Sequence, residues 1–257
     1  MDYGINNKTA FISGGSHGIG LASAKLLSIE GCNTIICSRD KNKLEIAKRE
    51  CESHGTKCLI IDGDVLQEKH VDKIINFVLQ YGKIDILINN VGGGGRWGKE
   101  NVLDTPIHIW REVMEKNLWA AVKFTLSFLP LMIKQNWGRV ITVTSIHGKE
   151  VGGRPWFNIA KTSEMALMKN LSTKKEFIQH GITFNSVAPG CIMIPNTGWD
   201  DIRKSSANFE LILETYPMGR MGTAEEVASL IVFLCSNQAS YINGSSITVD
   251  GGESHTF

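Results

Sequence analysis

The sequence predicts an α/β fold: one doubly wound parallel sheet with helices on both faces, three layers deep (αβα). Two observations lead there. Short runs that are apolar throughout alternate with longer segments of helical period, the pattern of a parallel sheet buried on each side. The glycine-rich and polar runs follow directly after the strand-like runs, where such a sheet takes its ligand. The 257 residues contain no linker, charge run or repeat, so a single domain spanning 1–257 is expected.

"TAFIS" (Thr9 to Ser13) reads as the first strand and about Gly18 to Glu30 as the first helix. "NTIICS" (Asn33 to Ser38) and "KCLIIDGDV" are the next strands, separated by the helix "KNKLEIAKRECESHG". Val71, Ile74, Ile75 and Val78 give the following helix its apolar face. "IDILINNVG" is a strand running into a loop, and a longer helix is expected from about Ile109 to Ile133, bent near Pro130. "RVITVTS" is a strand. "NIAKTSEMALMKNLSTKKEFIQHG" reads as one long helix closed by Gly181. "ITFNSVAPG" and "SSITVDGG" are the last strands, with a helix from about Ala224 to Ser236 between them.

Lys and Arg number 27 and Asp and Glu 26, a net charge of +1. That balance argues against a nucleic-acid partner. The six cysteines form no CxxC pair and no zinc spacing; no metal is expected, and scattered thiols suit a reducing compartment. The first residues lack the pattern of a signal peptide, and "FTLSFLPLMI" is too short to span a bilayer. The expectation is a cytoplasmic protein without a membrane partner.

"SGGSHGIG" (Ser13 to Gly20) joins the first strand to the first helix, with glycines at 14, 15, 18 and 20. Glycines let the backbone turn sharply and approach a pyrophosphate resting on the free N–H groups of a helix N-terminus. Gly14, Ser16, His17, Gly18, Ile19 and Gly20 are therefore candidate cofactor ligands.

With that loop in place, the chain resembles the classical short-chain dehydrogenase/reductase family from end to end. "SGGSHGIG" is similar to its TGxxxGIG loop, "NNVG" (Asn89 to Gly92) to its NNAG, and "ITVDGG" to its last strand. Asn117 matches the asparagine of the family's central helix, Ser145 its catalytic serine and Lys161 the lysine of YxxxK. "APG" (Ala188 to Gly190) matches the turn that faces the nicotinamide, bringing in Pro189, Gly190 and Ile192. The resemblance implies a Rossmann-like fold, a nicotinamide cofactor and a homotetramer or homodimer formed through the last two helices. It assigns the substrate oxygen to Ser145, the nicotinamide ribose to Lys161 and a relay water to Asn117. Asn90 and Gly92 would line the adenosine side, and Asp64 and Val65, in "DGDV", the adenine edge.

Two features decide between cofactors. Ser38 and Arg39 end the second strand, where a hydroxyl and a guanidinium suit a 2′-phosphate; Asp40 beside them would suit the ribose of NAD. NADP is the expected cofactor, with NAD as the alternative.

The family's tyrosine is Phe157, and Ser145 lies one residue closer to it than usual. Ile194 stands where a threonine is common, with Thr197 shortly after. Three readings stay open. Another group supplies the proton, such as Ser145, a water ordered by Lys161 and Asn117, or His147, which is equally readable as an ordinary loop histidine. Alternatively, the tyrosine was replaced by design. Or the chain binds cofactor without turnover, as a sensor or supporting subunit. For a catalytic chain the expected reaction interconverts a secondary alcohol and a ketone. Arg96, Trp97, Lys99, Arg154 and Trp156 border the expected cleft and suit a sugar-like or phosphorylated small molecule, while the tryptophans read equally as packing the loops or a subunit interface. Residues 193–217 are the expected lid.

Overall fold

A computed structural model describes residues 2–256. Seven parallel strands form one sheet in the order β3-β2-β1-β4-β5-β6-β7. They are β1 (Thr9–Ser13), β2 (Asn33–Ser38), β3 (Cys58–Asp62), β4 (Ile86–Asn89), β5 (Gly138–Val143), β6 (Ile182–Pro189) and β7 (Ser246–Val249). The order reverses between β1 and β4, which opens a crevice at their carboxyl ends.

Alternation along the strands divides the core in two. Ala10 and Ile12 of β1 face the first core, which also takes Leu27 of α1 (Gly18–Ile29), Leu44 of α2 (Lys41–Glu52) and Ile231 of a later helix. Phe11 faces the other way, onto Ile74 of α3 (Glu68–Tyr81). Its ring lies 5.1 Å from both Phe124 and Phe128, edge-on to each.

α4 (Ile107–Met114) and α5 (Ala120–Gln135) are joined by one wide π-type turn, Glu115–Trp119. Pro130 lies inside α5, within the helix expected there. The expected long helix from 158 to 181 is two helices instead. α6 (Pro155–Leu171) starts on a proline, which fits the first turn, and α7 is only Lys175–Ile178. The break falls where Ser172 and Thr173 turn their hydroxyls back onto the carbonyls of Lys169 and Asn170. Gly181, at φ +70, follows the short helix.

The segment after β6 holds two short helices, α8 (Gly198–Ser205) and α9 (Phe209–Glu214). α10 (Ala224–Cys235) opens with a capping box between Thr223 and Glu226. Among the described residues no helix is long and apolar enough to cross a membrane.

Candidate active site

The crevice begins at the β1–α1 loop. Gly14 takes φ +69, and its N–H donates to Cys37 O (2.9 Å), bending the chain over the end of β2. Asn90, just past β4, donates from Nδ2 to Ser13 O (3.0 Å) and Gly14 O (3.2 Å). Ser13 Oγ accepts the N–H groups of Asn90 (3.0 Å) and Val91 (3.1 Å). The two central strands are thereby tied together where their ends part.

α1 carries no side-chain cap at His17, so its first N–H groups are left for a ligand. His17 Nε2 is also buried without a partner. A side chain at Gly20 would run into Gly14 O and come within 2.5 Å of Asn90 Nδ2. These orphaned donors and the bare backbone fit a pyrophosphate.

The adjoining cavity measures about 340 Å³ and is lined by Gly14, Ser16, His17, Ser38, Arg39, Asp64, Val65, Asn90 and Gly92, all sequence-predicted ligands. Gly18 instead packs against Ile194, and Gly20 against Gly14. Ile19 and Ile192 pack in the core. None of the four lines this cavity with a side chain, while Gly18 and Ile19 carry the first main-chain N–H groups of α1.

At the adenosine end, Asp40 Oδ1 accepts the N–H of Lys43 (3.1 Å) and caps α2. Ser38 Oγ accepts the N–H of Asp40 (3.1 Å). The carboxylate that would suit an NAD ribose is thus engaged locally. Arg39 is largely exposed, 3.8 Å from Asp64, and free to turn to a phosphate. Lys116 lines the same cavity, and burial, reinforced by Arg39 nearby, holds its ammonium below the ordinary lysine range. Sequence reasoning missed Lys116, because only the turn at 115–119 brings it there.

Beyond Gly92 lies the reactive end. Asn117 is fully buried. Its Oδ1 accepts the N–H of Gly93 (3.1 Å), while Nδ2 donates to Gly93 O (2.9 Å) and Val113 O (2.7 Å). A Cβ at Gly92 would stand 2.8 Å from both Asn117 Oδ1 and Lys161 Nζ, so these three predicted residues converge. Lys161 donates to Val143 O (3.1 Å) and to Glu164 Oε2 (2.8 Å). Glu164 is itself buried, which pushes its carboxyl up against the pull of the lysine. Its place one turn after Lys161 is legible in the sequence, but its burial is not.

A second cavity of about 530 Å³ holds Ser145, His147, Arg154, Phe157 and Gly190, together with Arg96, Cys191, Trp199 and Glu253. Ser145 Oγ accepts the N–H of His147 (3.2 Å). The Arg96 guanidinium lies 4.6 Å from the centre of the Trp199 ring. Cys191 donates to Glu253 from its N–H (2.6 Å) and its thiol (3.2 Å). Trp156 is not on the wall: it is buried against Trp110, with rings 5.2 Å apart. Trp97 lies under Lys116 at 4.6 Å, and Lys99 points to solvent. Trp199 and Glu253 were missed because they reach the cavity only through folding of the segment after β6 and of the tail, and Cys191, next to the predicted Gly190, because nothing in the sequence set it apart from the other scattered cysteines. Thr197 Oγ1 donates to Ile194 O (2.7 Å) and is spent within its own segment.

A family model described as Enoyl-(Acyl carrier protein) reductase matches residues 14–254. The chain is 31% identical to the rat (Rattus norvegicus) Dehydrogenase/reductase SDR family member 4 over 254 residues, covering 96% of this chain and 88% of that one. It is 32% identical to the 3-oxoacyl-[acyl-carrier-protein] reductase FabG of Staphylococcus epidermidis, covering 96% and 98%. The chain belongs to the classical short-chain dehydrogenase/reductase family. Among solved structures of the family, it superposes on the L-sorbose reductase of Gluconobacter frateurii, complexed with NADPH and L-sorbose, with a TM-score of 0.90 and 31% identity over 100% of both chains. The expected short-chain dehydrogenase/reductase enzyme class stands.

Proposed function

We propose that this short-chain dehydrogenase/reductase interconverts a ketone and a secondary alcohol with NADP(H), on a hydroxyl-rich small molecule bearing a carboxylate or phosphate, with an altered proton donor. The observation that carries the reading is the second cavity. It is lined by Ser145, Arg96 and Arg154 and lies beside the carboxyl ends of β5 and β6, which Ser145 and Gly190 follow. Arg154 Nη1 is buried and unpartnered, and Nη2 has only the distant, exposed Glu100 at 4.0 Å. An anionic group on the substrate completes it.

The roles follow from position. The α1 N-terminus with Gly14, Ser16 and His17 holds the pyrophosphate, and Ser38 and Arg39 hold the 2′-phosphate. Asp64, Val65, Asn90 and Gly92 flank the adenosine, and Pro189 and Gly190 back the nicotinamide. The bound cofactor supplies or accepts the hydride. Ser145 accepts the N–H of His147 and directs its own O–H at the substrate oxygen. Lys161, steadied by Glu164, reaches the ribose, and Asn117 fixes the Gly93 backbone beneath it. Phe157 forms an apolar wall. Residues 193–217 close the cavity as a lid, with Trp199 laid under Arg96.

We read the assembly as a homodimer or homotetramer, supported by exposed Trp119 and Leu126 on α5 and its preceding turn and by Ile159 on α6. Six free cysteines support a cytoplasmic setting.

The test follows NADPH oxidation with L-sorbose, 5-keto-D-gluconate and ethyl acetoacetate. The reading expects 5-keto-D-gluconate to be preferred and Arg154→Ala to raise its KM with little change for the uncharged ketones. Turnover of none of the three, with NADPH bound, overturns it. One observation favours the rival, a cofactor-binding subunit without turnover. The Lys161 ammonium is committed to Glu164 and Val143 O instead of standing free.

A further inference from the structure

We infer that the imidazole of His147 donates the proton that Phe157 cannot. The inference rests on the oxidoreductase reading above and adds the acid it lacks. His147 lines the same cavity as Ser145, Arg154 and Phe157. Its ring meets the Phe157 ring edge-on, with centroids 6.5 Å apart and planes at 74°. A titratable ring therefore stands beside the one that has no hydroxyl.

The slot is shaped to that ring. A Cβ at Gly152 would lie 3.0 Å from His147 Cε1, and one at Gly153 would lie 3.2 Å from Cδ2. Two adjacent glycines are what let the imidazole in. His147 Nδ1 is buried and has no hydrogen-bond partner. That nitrogen lies against Gly152, so Nε2 is the atom from which the ring would donate. The main-chain N–H of the same residue occupies a lone pair of Ser145 Oγ. One residue thus aims the serine and carries the acid.

The other proton carriers nearby are committed or held back; burial, reinforced by the neighbouring Cys191, pushes the Tyr216 phenol up. Lys161 is buried and bonded to Glu164 and Val143 O. The Cys191 thiol points at Glu253, and burial pushes it up to about 12. Glu253 accepts both Cys191 donors.

In the reductive direction, a hydride from the reduced nicotinamide forms the new C–H bond at the carbonyl carbon. The C=O π pair moves to oxygen and forms the O–H bond with the proton of the His147 imidazolium, which becomes neutral and is reprotonated from water. The ketone is reduced and the nicotinamide oxidised. In reverse, the neutral imidazole takes the alcohol proton.

The experiment compares wild type, His147→Gln, and His147→Gln with Phe157→Tyr, using NADPH with L-sorbose, 5-keto-D-gluconate and ethyl acetoacetate. The single variant should lose about a hundred- to ten-thousand-fold in kcat, with the NADPH dissociation constant and melting temperature unchanged. The double variant should regain most of it, because a phenol replaces the imidazole. If glutamine at 147 does not fold, His147→Asn carries the same comparison. Independently of turnover, the His147 ring resonances should shift when 5-keto-D-gluconate joins the NADP-bound wild type. Wild-type turnover in His147→Gln, or ring resonances indifferent to the keto acid, overturns the role of His147 alone. An inert wild type that binds NADPH overturns the oxidoreductase reading itself.

Discussion

The Lys161 ammonium lies 2.8 Å from the Glu164 carboxylate, one helical turn away, with both side chains almost wholly out of solvent. Neither charge would be tolerated there alone. Removing one partner of such a pair strands the other in a medium that solvates it poorly. Glu164→Leu should therefore cost about 3–5 kcal/mol of stability, read as a lower midpoint in urea. Lys161→Met added to it should recover most of that loss. A double variant no more stable than the single would show that the pair is not what the site needs.

Arg39 is the residue proposed to select NADP over NAD. It is mostly exposed, so its contribution is screened by salt. Arg39→Ala should weaken NADPH binding about tenfold while leaving NADH nearly unchanged. Fluorescence titration with each nucleotide checks this, and the difference should shrink at high ionic strength. Equal loss for both nucleotides would move the 2′-phosphate elsewhere, with Lys116 the next candidate.

Gly20 tests the phosphate cradle by shape alone. A single methyl there meets Gly14 O and Asn90 Nδ2, the atoms that hold the loop to β4. Gly20→Ala should lower affinity for either nucleotide by at least about tenfold, because backbone, not a flexible side chain, must yield. Unchanged binding would mean that the loop does not grip the pyrophosphate.

α10 gives a pH dependence with a definite sign. Arg220 and the Thr223 N–H hold the Glu226 carboxyl at about 2, below its ordinary 4.5. A depressed carboxyl stabilises the fold above the unfolded value and loses that contribution as pH falls from about 4.5 toward 2. The melting temperature of Glu226→Gln should therefore lie below wild type near neutrality and converge with it in acid. A gap that widens in acid would contradict the sign.

Much of this was legible in the sequence, for physical reasons. The strands are buried on both faces, so their apolar runs stand out, and the phosphate loop is continuous in the chain. Ser145, Lys161, Asn117 and Gly92 were legible only through motifs that resemble those of the short-chain dehydrogenase/reductase family. Other features depended on distance in space. Glu164 looks like a solvated helix residue until α6 is seen to bury it. Trp199 and Glu253 come from the lid and the tail, and Trp156 looked like a cleft residue until Trp110 was found against it. The helix break after Leu171 is invisible to apolar period, because it is made by hydroxyls at Ser172 and Thr173.

The wide turn at Glu115–Trp119 is where one rod changes allegiance. Upstream, Val113 belongs to the small cluster around Trp156; downstream, Phe124 and Phe128 belong to the large core under the sheet. Each helical residue advances the azimuth by about 100°, so shortening this loop of backbone by one residue would swing one face out of phase with its neighbour. The buried amide of Asn117 sits at that splice, which makes insertions and deletions there far less tolerable than substitutions.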